Sequence, residues 1–123
     1  MCCRFASLIA VLLSLLLAAS AFAGEVYWID VRTAEEYGKG HIDGAIHIPY
    51  EEIGARIGAV TGDRDAEIYL YCRSGRRSGI ALDTLLQAGY RNAVNAGGFE
   101  EASQTHARLE RCRGADAADC SRP

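Results

Sequence analysis

The stretch Ile68-Tyr69-Leu70-Tyr71-Cys72-Arg73-Ser74-Gly75-Arg76-Arg77-Ser78 decides how the chain reads. An apolar and aromatic run leads into a cysteine, and a short loop with three arginines follows. After Ser78 the apolar positions Ala81, Leu82, Leu85 and Leu86 recur at helical spacing. That order is strand, loop, helix. Ser78 is placed to cap the helix and Gly89 to end it. A cysteine delivered to a helix N-terminus meets unpaired N–H groups and partial positive charge. Nearby arginines favour the ionised sulfur further. Cys72 therefore reads as a nucleophile, against the duller role of a small core residue at a strand end.

The same alternation continues on both sides. Val26-Tyr-Trp-Ile-Asp-Val31 is β-branched and aromatic and predicts a buried strand. Thr33-Ala-Glu-Glu36 has capping-box spacing, which starts a short helix that ends by Gly38 or Gly40. Ala45-Ile-His-Ile48 predicts a second strand closed by Pro49, and Ile53, Ile57 and Val60 mark one face of the next helix. A turn cluster over residues 61–65 precedes a third strand, Glu67 to Tyr71. Asn92-Ala-Val-Asn95 predicts a weak fourth strand, and Gly97-Gly98 a turn into a last helix from Phe99 to Leu109. Together these predict a small doubly wound α/β domain with a mostly parallel sheet flanked by short helices. Ligands of such sheets bind at the carboxyl ends of strands, where Cys72 falls.

The 123 residues hold one domain. Residues 1–23 stand apart from it. Arg4 is the only charge before Glu25, Ser7 to Leu17 is apolar, and Ala21-Phe22-Ala23 has the small-x-small pattern of a cleavage site. This is the layout of a secretory signal peptide. The competing reading, an uncleaved anchor over Phe5 to Ala23, is near the lower length limit for a membrane span. The expected organisation is a signal peptide over 1–23, the folded domain over 24–109 and a polar, flexible tail over 110–123. The expected location is periplasmic or secreted, with no stable membrane association after cleavage.

Loss of Arg4 moves the formal net charge from −3 to −4. A mildly acidic domain argues against nucleic acid or an anionic membrane surface as the main partner. The clustered arginines are then a local positive patch suited to a small anion. Of the five cysteines, Cys72, Cys112 and Cys120 survive cleavage. An exported chain meets an oxidising compartment. There Cys112 and Cys120 are close enough in sequence to pair, leaving Cys72 as the odd thiol. Unpaired or intermolecularly paired tail cysteines are the alternative.

Within the loop, Gly75 lets the backbone curl so that successive N–H groups point at one anion. Arg73, Ser74, Arg76, Arg77 and the Ser78 hydroxyl complete the cradle, which fits thiosulfate, sulfite, phosphate or a charge on Cys72 itself. Asp30 and Arg32 read as a structural ion pair rather than a catalytic one. His47 reads as a half-exposed strand residue, His41 as a pin for the turn before the second strand, and Tyr27 and Trp28 as core. No histidine spacing suggests a metal site, and no cofactor is implied.

Taken in order, several motifs resemble a single-domain rhodanese over Val26 to Leu109. They are Trp28-Ile-Asp-Val-Arg32, Glu36-Tyr37, Gly40-His-Ile-Asp-Gly-Ala-Ile-His-Ile-Pro49, the cysteine loop, Gly89-Tyr90 and Asn95-Ala-Gly-Gly98. With the leader and the small size, the chain is most similar to the periplasmic phage shock protein E type of thiosulfate sulfurtransferase. The resemblance implies a double displacement. Cys72 thiolate would take the outer sulfur of thiosulfate, and a thiophilic acceptor such as cyanide or a thiol would collect it from a Cys72 persulfide. Cys72, Gly75 and Arg77 match the family's C-x-x-G-x-R loop, whereas the tail cysteines have no counterpart in it.

Three other functions compete. A cysteine phosphatase places its arginine after five intervening residues, and Arg77 comes one residue too early. A thiol–disulfide oxidoreductase lacks its C-x-x-C here. A non-catalytic persulfide carrier or binding module fits the same residues.

Overall fold

The β-branched and aromatic run near the start of the domain forms β1, Val26–Asp30. The structure, a computed structural model, describes residues 24–113. The leader expected over 1–23 lies outside the described residues. After β1 come α1 (Ala34–Lys39), β2 (Ile46–His47), a 3-10 turn (Tyr50–Glu52), α2 (Ile53–Val60) and β3 (Glu67–Tyr71). Then follow α3 (Arg76–Gln87), β4 (Ala93–Gly97) and α4 (Phe99–Arg113). The strands pair in the order β2-β1-β3-β4, and each pair is parallel. This is the doubly wound α/β arrangement that the alternation implies.

Period-two alternation assigns the strand side chains to two faces. On one, Ile29, Val31, Ile68, Leu70 and Cys72 pack against Ile53 and Ile57 of α2 and Ala81 and Leu85 of α3. On the other, Trp28 and Tyr71 pack with Ile42, Ala45 and Ala102, backed by half-buried Tyr69 and Phe99. Ile29, Ile68, Leu70 and Leu85 are completely buried, and each such side chain stabilises the fold by about 1.5–3 kcal/mol.

Local signals set several boundaries. The capping box forms as read: Glu36 N–H donates to Thr33 Oγ1 at 3.2 Å, and Thr33 N–H donates to Glu36 Oε2 at 3.0 Å. α3 ends where Gly89 predicts. Tyr90 N–H reaches Leu85 O at 3.0 Å and Gly89 N–H reaches Leu86 O at 3.1 Å, while the Tyr90 and Leu85 side chains share the core.

Other boundaries shift. α3 starts at Arg76 with Gly75 as its cap, so Ser78 lies in the first turn and does not cap the helix. β2 is reduced to Ile46–His47, because only Ile29 and Asp30 pair with it. β4 runs on to Gly97, because its pairing with β3 extends through Tyr71. α4 continues past Leu109 to Arg113, so residues 110–113 are helix rather than tail. Glu and Arg are good helix formers, Arg113 Nη1 meets Glu110 Oε1 at 3.0 Å, and Arg111 and Arg113 complement the negative end of the helix. Cys112 lies in α4 and is disulfide-bonded; Cys120, its expected partner, lies outside the described residues.

The Asp30–Arg32 pair is structural, as read. Asp30 is fully buried and Arg32 nearly so. Arg32 donates through Nε at 3.0 Å to Asp30 Oδ1 and through Nη2 at 2.7 Å to Oδ2. Nη2 also reaches Gly40 O at 2.6 Å, and the guanidinium lies 4.7 Å from the Phe99 ring centroid. The pair thus ties the end of β1 to the turn after α1 and to α4. Removing one partner strands a buried charge, which costs about 3–5 kcal/mol. Asp30→Asn should lower stability by about 3 kcal/mol in urea unfolding, and an unchanged midpoint would contradict this role.

Candidate active site

Cys72 follows β3 directly, and the alternation of that strand turns its side chain into the α2–α3 face of the core, fully buried. Its N–H donates to Gly97 O at 3.2 Å, which prolongs the β3–β4 pairing by one residue. The loop then curls back through Gly75 at φ +89, a left-handed conformation that side chains other than glycine's rarely adopt. Ser74 bridges to Gly98. A Cβ at residue 98 would sit 2.8 Å from Arg73 O, so the loop can lie against this turn only because residue 98 is glycine. The nearness of Gly97-Gly98 to the cysteine loop is thereby explained.

The loop surrounds the sulfur with donors. Gly75 N–H points at Cys72 Sγ at 3.0 Å, and Ser78 Oγ lies 3.4 Å from it. Burial pushes the thiol pKa up. The Ser78 hydroxyl and the backbone N–H groups of Ser78, Ser74 and Gly75 together outweigh burial and hold the thiol below its ordinary value. The magnitudes permit this. A hydrogen bond to an ionised group contributes about 1.5–3 kcal/mol, so several offset a burial penalty of several kcal/mol. The arrangement favours an ionised sulfur or a negative charge displaced one atom beyond it.

The three arginines have separate fates. Arg73 and Arg76 are exposed, and their side chains have no ion pair or hydrogen bond among the described residues. They sit at the rim instead of lining the sulfur. Arg77 alone turns inward: its charge and side chain interact with Cys72, while its guanidinium forks onto Glu36 at 2.9 and 3.0 Å. Ser74 is exposed, Gly75 is half-buried and Ser78 is fully buried.

Two residues at the site carried no functional signal in the sequence. Glu36 read as part of the α1 capping box and of the Glu36-Tyr37 motif, with no role at the sulfur, and its contact with Arg77 joins residues 41 apart in sequence. Asn95 read as the end of a weak strand and the start of the Asn95-Ala-Gly-Gly98 motif, with no role of its own. In the structure its amide meets Gly75, Ser78 and Gly97. The one hint was a polar residue two places before the Gly97-Gly98 turn, on the same strand face as buried Ala93. The histidines are occupied elsewhere. His41 Nδ1 lies 2.9 Å from Tyr37 O and its ring stacks on Tyr37, and half-buried His47 Nε2 lies 2.7 Å from Arg32 O.

The Arg77 guanidinium holds the Glu36 carboxyl at about 2 in place of 4.5. A depressed carboxyl pKa stabilises the fold fully above its unfolded value and loses that contribution as pH falls towards the folded one. Glu36→Gln should therefore be less stable than the parent by about 1 kcal/mol above pH 5, the scale of a partly exposed pair. That gap should close progressively as the pH falls from 4.5 to about 2, read by urea unfolding at each pH. A gap independent of pH would contradict the assignment.

Comparison with known proteins agrees with the geometry. The chain is 40% identical over 89 residues to the thiosulfate sulfurtransferase PspE of Escherichia coli K12, covering 72% of this chain and 85% of that one. It is 38% identical over 74 residues to a sulfurtransferase of Allochromatium vinosum, covering 60% and 67%. A solved structure of a rhodanese with anions from E. coli superposes with a TM-score of 0.60 at 41% identity, covering 62% of this chain and 89% of that one. The rhodanese-like domain matches residues 14–105, and the chain belongs to the rhodanese-like domain family of sulfurtransferases.

Proposed function

We propose that this protein is a thiosulfate sulfurtransferase working through a persulfide on Cys72. The observation that carries the reading is the fully buried Cys72 sulfur with Gly75 N–H 3.0 Å away, a site made for one negatively charged atom. Cys72 thiolate attacks the outer sulfur of thiosulfate. The S–S bond of the donor breaks, its electron pair leaves with sulfite, and a Cys72 persulfide anion remains. A thiophilic acceptor, cyanide in an assay or a thiol, then attacks the outer sulfur, and Cys72 departs as thiolate. The loop donors stabilise negative charge throughout. Arg73 and Arg76, exposed at the rim, attract the anionic donor on a protein of net negative charge.

The donor set also weighs against a phosphate ester. Arg77, the cation a phosphatase loop would turn on its substrate, is forked onto Glu36. The leader over 1–23 supports export, with the mature protein acting in the periplasm or outside the cell. A small anionic sulfur donor and a thiophilic acceptor are the partners this reading calls for.

Purified protein incubated with thiosulfate and cyanide should form thiocyanate catalytically, and Cys72→Ser should reduce the rate at least about 1,000-fold, as expected for loss of a nucleophile. Undiminished activity in that variant would overturn the reading. Release of one equivalent of sulfite without turnover would favour a persulfide carrier, and hydrolysis of an aryl phosphate a phosphatase. The Arg73→Ala, Arg76→Ala double variant should raise KM for thiosulfate several-fold, with a weaker dependence on ionic strength. Unchanged KM and salt dependence would remove the rim arginines from donor capture.

A further inference from the structure

Asn95 lies in β4 at the open edge of the sheet, yet its amide is the meeting point of the sulfur loop. Oδ1 accepts from Ser78 Oγ at 2.7 Å and from Gly97 N–H at 2.9 Å. Nδ2 donates to Gly75 O at 2.9 Å. The neighbours fix the orientation of the amide, since Gly97 N–H can only donate and the Gly75 carbonyl can only accept.

These contacts fall on the groups nearest the sulfur. Gly75 supplies the 3.0 Å donor to Cys72 Sγ, and Asn95 holds the carbonyl on the other side of the same α-carbon. Gly75 O also accepts the N–H of Gly79 at 3.0 Å, so Asn95 adds a second, independent restraint on a residue in a left-handed conformation. Ser78 Oγ stands 3.4 Å from the sulfur and has one proton to give. It shares that proton between Sγ and the nearer Asn95 oxygen at 2.7 Å, and the shorter bond fixes the side chain's rotamer beside Sγ. Gly97, the third contact, is the residue whose carbonyl accepts Cys72 N–H.

We infer that Asn95 is a positioning residue of the sulfur loop, one amide that holds Gly75, Ser78 and Gly97 in register around Cys72 Sγ. The inference rests on Cys72 being the reacting sulfur. Two opposing effects follow from loss of the amide. The Ser78 proton, shared with Asn95 in the parent, becomes free to turn wholly to the sulfur, which favours the thiolate. The Gly75 N–H loses its alignment, which disfavours it. The Gly75 donor is closer by 3.0 against 3.4 Å, and Ser78 also loses its restraint, so the second effect wins.

The test is the pH dependence of Cys72 alkylation by iodoacetamide, read by mass spectrometry of the peptide that contains it. This readout needs no sulfur transfer. Asn95→Ala should move the apparent thiol pKa up by roughly one pH unit, slowing alkylation at pH 7 by up to about tenfold. Ser78→Ala should shift it in the same direction, and the double variant should shift it by less than the sum of the two, because Asn95 acts partly through Ser78. Asn95→Ser, whose side chain is too short to span the loop, should behave like Asn95→Ala and serves if that variant folds poorly. A pKa that is unchanged or lowered in a folded variant, or strict additivity with Ser78→Ala, would overturn the inference. If the shift appears but no thiocyanate forms with the parent protein, the proposed activity falls and the positioning role stands.

Discussion

A buried sulfur ringed by hydrogen-bond donors that favour its charged form is the constraint on which this structure turns. Cys72 is fully shielded from solvent, and burial alone would keep it a neutral thiol. Stabilising the charged form requires several N–H and O–H groups converging on one atom. A β-strand end followed at once by a helix start supplies them only if the intervening chain is wound tightly. Gly75 provides the tight winding, and the first turn of α3 brings Ser78 under the sulfur. The loop also needs a surface to lie against, and Gly97-Gly98 is that surface. Parallel pairing of β3 with β4 sets the glycines beside the cysteine. The sheet is thus the scaffold that makes the loop possible, and its register is part of the chemistry.

Charge around the loop is divided between two jobs. Arg77 is committed to the protein, forked onto Glu36 of α1 with its charge felt at Cys72. The fork lets a capping residue of one helix steady the entrance of another, and it sets one fixed positive charge near Cys72. Arg73 and Arg76 remain outward, available to an incoming anion. One inward and two outward cations suit the reaction proposed above, in which an anionic donor enters, an anionic product leaves and a single negatively charged sulfur stays on Cys72.

Much of this was legible in the sequence because it rests on local signals. β3 spans Glu67–Tyr71 as its apolar run suggests, the capping box at Thr33 forms, and Gly89 ends α3. The cysteine loop could be recognised from a strand, a cysteine and a helix in succession. Tertiary contacts hid the rest. The start of α3 moved ahead of Ser78 because Gly75, in a left-handed conformation, takes the cap position. Once the Ser78 hydroxyl faces Cys72 and Asn95, it is no longer available to a helix end. The Arg77–Glu36 fork joins residues 41 apart in sequence, and no periodicity reports such a pair. Asn95 was obscured for the same reason, since two of its three partners, Gly75 and Ser78, lie 20 and 17 residues away in the cysteine loop and α3.

The central claim is that Cys72 holds one sulfur atom inside its own loop. Treatment of the protein with thiosulfate alone, followed by intact-mass and peptide mass spectrometry under non-reducing conditions, tests it most directly. The account predicts one added sulfur on the peptide containing Cys72, removed by cyanide. No added mass, or sulfur found only on another cysteine, would contradict it.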